Sequence, residues 1–219
     1  MIPDTQFTLI FANGMIETTA WLVPYIAQAR SVIAVDGGLR HLPAPDRLPD
    51  VLIGDLDSLP DGAEAALDAG DIDVVRFPRA KDETDLELAL SYAIERFPND
   101  VLLIAGGFGG RIDHTLANIM LLAHPAFIGR AIYFIEDGQT AWLINAETTI
   151  AGRPGDIVSF IPLGGDVVVA ETTGLRWPLT NEALPLGPAR GMSNEMTAAR
   201  ARIRITDGLL FCVHTTEAI

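Results

Sequence analysis

The chain has 219 residues, 49% hydrophobic and 20% charged, which is enough for one large or two modest domains with real cores and excludes a disordered chain. Fifteen basic against 29 acidic residues leave a net charge of −14, which excludes binding to duplex DNA or anionic lipid through broad basic patches. The single cysteine, Cys212, excludes an internal disulfide and a cysteine-built zinc site, and a reducing cytoplasm is the expected setting.

The first part of the chain alternates apolar runs with helical patterns. Phe7–Phe11, Val32–Val35, Val51–Ile53, Val74–Phe77 and Val101–Ala105 predict buried strands. Ala20–Ala29, Ala63–Ala69, Thr84–Phe97 and Asp113–Ala123 predict helices between them, and Leu86, Leu90, Ala93 and Phe97 form a core-facing stripe in the third. After about Ala131 the pattern becomes strands alone: Ala131–Ile135, Ala141–Ile144, Ile157–Ile161, Val167–Ala170, Ala201–Ile205 and Leu209–His214. Turn signals such as Asp137-Gly138, Pro154-Gly155 and Asp207-Gly208 separate several of them. The expected fold is α/β: an N-terminal, mostly parallel sheet with helices on both faces (residues 1–130), then a C-terminal all-β sandwich (131–219). No N-terminal signal pattern and no membrane-crossing stretch is expected.

Charge is uneven. Residues 1–136 hold 20 acids and 9 bases, a balance of −11, against 9 and 6, a balance of −3, in 137–219. Ten of the 18 aspartates lie between Asp46 and Asp85, a density that turns and helix caps alone explain only in part. In an open parallel sheet ligands bind where strands end and helices begin, and four such segments carry polar residues. Asp36-Gly37-Gly38 stops a strand and frees backbone N–H groups for an anion, although alone it also serves as a plain turn. Asp55 and Asp57, two apart past a strand, suit one cation such as Mg²⁺; a turn residue plus a helix cap fits equally well.

The third segment is Lys81-Asp82-Glu83-Thr84-Asp85. Asp82 is expected to cap the helix, Asp85 to reach toward the cation of Asp55 and Asp57, and Lys81, the only lysine, to meet a phosphate. The fourth, Gly106-Gly107-Phe108-Gly109-Gly110-Arg111, is a phosphate-cradling loop without the Walker ending, Arg111 supplying positive charge. Asp113 and His114 follow it, and His114 alone reads as a helix-terminal hydrogen-bonding residue. Together the four segments imply nucleotide phosphate chemistry. Two rivals stay open: a phosphatase with Asp55 as nucleophile, since Asp55-x-Asp57 is similar to the strand end of haloacid-dehalogenase-type enzymes, and a non-catalytic nucleotide sensor.

The ordered set resembles the thiamine pyrophosphokinase family over nearly the whole chain. It rests on Asp36-Gly37-Gly38, Gly54-Asp55-Leu56-Asp57-Ser58, Lys81-Asp82-Glu83-Thr84-Asp85 and Gly110-Arg111-Ile112-Asp113-His114. Thr173-Gly174-Leu175-Arg176-Trp177-Pro178-Leu179 and Gly191-Met192-Ser193-Asn194-Glu195 extend it into the second part. The resemblance implies a homodimer that transfers a pyrophosphoryl group from ATP to thiamine with Mg²⁺. It implies Asp55, Asp57 and Asp85 as metal and phosphate-chain residues, with Arg111 catalytic. Asp36, Gly37, Gly38, Ser58, Lys81, Asp82, Thr84, Gly107, Arg111, Asp113 and His114 would then form the nucleotide site. Trp177, Ser193 and Asn194 would hold thiamine, Trp177 standing where bacterial members often carry Tyr.

Overall fold

The computed structural model describes residues 5–42, 48–55 and 72–216. The chain divides into two compact units: one runs to Ile119 and includes Phe134–Glu136, the other comprises Met120–Tyr133 and the residues from Asp137 onward.

The first unit is built on five parallel strands: β1 (Phe7–Phe11), β2 (Ser31–Val35), β3 (Val51–Gly54), β4 (Asp73–Arg76) and β5 (Val101–Ala105). They lie in the order β5-β1-β2-β3-β4, with β1 between β5 and β2: Ile10 pairs with Ile33 on one side and Ile104 on the other. Every residue of β1, β2 and β3 is buried, as expected of strands covered on both faces, whereas the edge strand β4 is partly exposed along its length. Among the described residues three α-helices accompany the sheet: α1 (Val23–Gln28), α2 (Asp85–Arg96) and α3 (Ile112–Leu121). Leu86, Ala89, Leu90 and Ala93 of α2 are buried, and α2 packs on β2 and β3.

Two details depart from the sequence reading and a third lies beyond what the structure describes. The helix expected over Ala20–Ala29 is a 3-10 turn, Ala20–Leu22, followed by a short α1, because Pro24 sits in the first turn, where its missing N–H costs nothing. Asp82 does not cap α2; Thr84 does, its hydroxyl accepting from the Glu87 N–H at 3.2 Å, and Asp82 stays exposed upstream. The helix expected over Ala63–Ala69 lies outside the described residues.

The second unit stacks two antiparallel sheets. One has β7 (Gln139–Ile144), β14 (Leu210–Thr215), β9 (Ile157–Pro162) and the two-residue β12 (Asn194–Glu195), in the order β7-β14-β9-β12. The other has β8 (Glu147–Ala151), β13 (Arg200–Asp207), β10 (Val167–Thr173) and β11 (Thr180–Leu184), in the order β8-β13-β10-β11. Side chains from both sheets share one core, including Trp142, Phe160, Leu210 and Cys212 from the first and Ile150, Val169, Leu184 and Ile203 from the second. On β13, Ala201, Ile203 and Ile205 point inward, while Arg202 pairs bidentately with Glu147 (2.8 and 2.7 Å) on the outer face. β8, β11 and β12 were not expected from the sequence. The first two are edge strands with the polar sequences ETTIA and TNEAL, in which only Ile150 and Leu184 are buried.

The strand β6 (Ile132–Glu136) passes from the second unit to the first, and Asp137-Gly138 turns it into β7, with Gly138 at φ 73°.

Candidate active site

Because β1, β2, β3 and β5 are parallel, their C-terminal ends open on one edge of the first unit's sheet. The loops that leave them are tied together by backbone. Ala12 donates to the Ala105 carbonyl (2.8 Å), Gly14 to Gly106 (2.7 Å) and Met15 to Phe108 (2.8 Å), so the β1 loop is zipped to the glycine-rich loop after β5. Gly38 lies against the end of β1, where a Cβ would come within 2.1 Å of the Phe11 carbonyl oxygen. Asp36, buried and at φ 48°, opens the turn after β2, and a Cβ on Gly54 would touch its Cβ at 3.1 Å. A left-handed non-glycine residue costs on the order of 1–3 kcal/mol and is held by its surroundings, a pattern common at functional sites.

The sequence reading missed part of this edge. Arg40 bonds the Asn13 side chain, the Asn13 carbonyl (2.9 Å), the Gly14 carbonyl (2.9 Å) and the Gly37 carbonyl (3.3 Å). His41 Nε2 also lies 2.9 Å from the Gly14 carbonyl, and burial lowers its pKa. Asn13 and Gly14 directly follow the first apolar strand, the same strand-end position as the other four segments.

Gly107 packs under the aromatic layer. A Cβ there would sit 2.5 Å from the Phe134 ring, which lies against the Phe108 ring with centroids 4.8 Å apart. The Asn118 side chain of α3 donates to the Gly107 carbonyl at 2.7 Å and ties the helix to the loop. At the exposed start of α3, Arg111 bonds Asp113 through two nitrogens, one at 3.0 Å, and Asp113 also accepts from the His114 N–H at 3.0 Å. The Arg111 hydrogen bonds hold the Asp113 carboxyl down to about 2, so it is a weak base at neutral pH. Asp113 serves better to orient Arg111. Glu136, at the end of β6, is half-buried and shares a strand face with Phe134. Its Oε1 meets no partner among the described residues, and burial pushes its carboxyl up to about 7.

Asp55 stands immediately past β3. Lys81 Nζ lies 2.7 Å from Asp85 Oδ1, and the lysine side chain is 10% exposed, so the only lysine is held against the start of α2. Asp57 and Ser58 lie outside the described residues. Among the described residues no three acidic, His or Cys side chains gather as a metal cage. Carboxylates at a strand end, open to phosphate oxygens and water, are nonetheless the donors Mg²⁺ takes.

In the second unit, Trp177 is 50% exposed and is not a core aromatic. Arg176 lies over its ring at 5.2 Å and pairs with Glu195 at 2.8 Å. Asn194 bonds the Trp177 backbone from both ends of its carboxamide, and Ser193, at φ 54°, donates its N–H to Ser159 Oγ at 3.0 Å.

A parallel sheet whose loop-bearing edge is lined by glycines, acids and Arg, joined in one chain to an antiparallel sandwich, defines a phosphate-transfer protein with a separate β-rich binding unit. Residues 22–134 match the family model for the thiamin pyrophosphokinase catalytic domain, and residues 145–210 that for its vitamin B1 binding domain. A thiamine pyrophosphokinase of Bacillus subtilis is 30% identical over 210 residues, covering 95% of this chain and 98% of the relative. A crystal structure of the enzyme from B. subtilis superposes with a TM-score of 0.84 at 28% identity, over 98% of this chain and all of the other. The structure from Geobacillus thermodenitrificans gives 0.83 at 25% identity, over 97% and 99%. The chain belongs to the thiamine pyrophosphokinase family. Among the described residues no helix is long and apolar enough to cross a membrane.

Proposed function

We propose that this chain transfers the pyrophosphoryl group of ATP to the hydroxyethyl oxygen of thiamine, giving thiamine diphosphate and AMP, as a Mg²⁺-dependent homodimer in the cytoplasm. The observation that carries the reading is the zipped edge of the first unit. The loops after β1 and β5 are fixed to each other by backbone, the turn after β2 is tied to the β1 loop by Arg40 and His41, Gly54 leaves no room for a side chain beside Asp36, and Arg111 stands at the glycine-rich loop. Such an edge binds a phosphate chain through N–H groups and cations rather than through a deep apolar pocket.

Transfer breaks the bond between the β-phosphorus and the oxygen that bridges it to the α-phosphorus, forms a bond from the thiamine oxygen to the β-phosphorus, and releases AMP, the hydroxyl proton passing to solvent. Its transition state is loose, so positioning and charge neutralisation matter more than a strong base. Asp55, Asp57 and Asp85 would hold Mg²⁺, which when bound neutralises phosphate oxygens. The N–H groups of Gly37, Gly38 and the loop around Gly107 receive the phosphates. Lys81 and Arg111 meet phosphate oxygens, each held ready by a carboxylate, Asp85 and Asp113. Ser58, Asp82, Thr84 and His114 complete the nucleotide surroundings, and Asp36 holds the turn after β2. In the second unit Trp177 offers a flat, electron-rich face suited to a cationic, aromatic acceptor, flanked by Ser193 and Asn194.

Product analysis tests this. Purified protein with ATP, Mg²⁺ and thiamine should give AMP and thiamine diphosphate in equal amounts, dependent on thiamine. ADP would make it a monophosphate kinase, free phosphate without thiamine a phosphatase, and intact ATP a sensor.

A further inference from the structure

The carboxamide of Asn194 is committed to the protein's own backbone. Oδ1 accepts from the N–H of Trp177 (3.1 Å) and of Glu195 (2.9 Å), and Nδ2 donates to the Trp177 carbonyl (2.7 Å). The two acceptor sites and one of the two donors of an Asn amide are thereby used, and the residue is 6% exposed. Little is left to offer a ligand.

These bonds complete a ladder. The segment 174–177 runs antiparallel to 194–197: Thr197 donates to the Gly174 carbonyl (2.9 Å), Leu175 bridges Met196, and Arg176 donates to the Glu195 carbonyl (2.9 Å). One step further on, Asn194 supplies with its side chain both the acceptor and the donor that Trp177 would find on a partner strand. Beyond Trp177 the chain closes on itself, Leu179 donating to Thr172 Oγ1 and Thr172 to the Leu179 carbonyl. Leu175 and Leu179 are buried on either side, 7% and 1% exposed, while the Trp177 between them is 50% exposed. Fixing the Trp177 backbone therefore fixes where the indole stands.

We propose that Asn194 is a positioning residue for the acceptor site: its carboxamide clamps the Trp177 backbone so that the indole is held outward, and the contact with the acceptor is made by Trp177. This rests on the acceptor role given to Trp177 above. It assigns Asn194 a different part from the direct thiamine contact that the family resemblance implies.

A double-mutant cycle separates the two roles. Trp177→Ala should raise the KM for thiamine about tenfold, the worth of one aromatic face, with the KM for ATP unchanged. Asn194→Ala and the near-isosteric Asn194→Asp should raise it in the same direction, and Asn194→Ala in the Trp177→Ala background should add nothing. Additive effects would overturn the proposal, because a direct contact survives loss of the indole. The second readout is acrylamide quenching of Trp177 in a Trp21→Phe, Trp142→Phe background, where it is the sole indole. Asn194→Asp should change the quenching constant, and an unchanged constant overturns the clamp. Normal thiamine KM in Trp177→Ala alone removes the acceptor reading itself, and the quenching result then still decides whether Asn194 holds the indole.

Discussion

The two units present functional groups by opposite means. In the first, loop backbone is what is presented: parallel strands stop at one edge, Arg40 ties the β2 turn to the β1 loop, and glycines let loops approach so closely that a Cβ at Gly38 would lie 2.1 Å from the Phe11 carbonyl. In the second, a side chain does it, the Asn194 carboxamide standing in for a missing strand beside Trp177. On the proposed reading, the difference follows from what each unit would bind. A phosphate chain is met by many N–H groups, which loops supply. A flat organic ring needs one surface at a set angle, which one clamped indole supplies.

The largest effect expected from this contrast falls on the first unit. Asp55→Asn keeps the shape at the end of β3 but removes a carboxylate from the phosphate side. It should lower kcat by about 100-fold or more, the scale of losing one charge-stabilising group, with the unfolding midpoint little changed. Steady-state assays with thiamine saturating measure it, and near-normal turnover would take Asp55 out of the machinery. Gly38→Ala tests the backbone side of the contrast. Its Cβ would meet backbone rather than a mobile side chain, so the end of β1 must shift, at about 1–3 kcal/mol of stability. Urea unfolding should show this together with a raised KM for ATP. A variant of wild-type stability would mean that the edge is looser than its hydrogen bonds imply.

The same contrast governed how much the sequence could reveal. Apolar runs marked β1, β2, β3 and β5 to within a residue because strands covered on both faces need no polar residue. The strand ends were legible because glycine and aspartate cluster there for one local reason, the tight turns that leave parallel strands. Arg40 was not legible because its role depends on bonds across 27 residues of chain, to Asn13 in the β1 loop. Edge strands β8 and β11 were missed because an edge strand with one buried residue has almost no periodic signal. In the sandwich, Trp177 and Asn194 stood out only through resemblance. Nothing local distinguishes a clamped, half-exposed indole from a core one until the 174–177 segment is laid against 194–197.

Asp156 of the second unit and Glu136 of the first differ in how their carboxylates are satisfied, and the smallest effect comes from there. Asp156, in the sandwich, accepts from the Arg153 N–H (2.8 Å) and lies 2.9 Å from His214 Nε2. Glu136, at the end of β6, has an Oε1 without a partner among the described residues and a pKa raised by burial to about 7, against 4.5 when exposed. Between about pH 4.5 and 7 the folded protein therefore keeps a proton that the unfolded chain has released. Fewer protons bound in the unfolded state means that this group's contribution to stability falls as pH rises through that window and levels off above it. Glu136→Gln, neutral at every pH, should remove the slope. Because the side chain is only half-buried, solvent screening reduces the effect, and a gain of about 1–2 °C in Tm at pH 8 is expected, with none at pH 4.5. Thermal unfolding of both proteins across that range measures it. Parallel curves would mean that Glu136 finds a partner in solution, as Asp156 does in the sandwich.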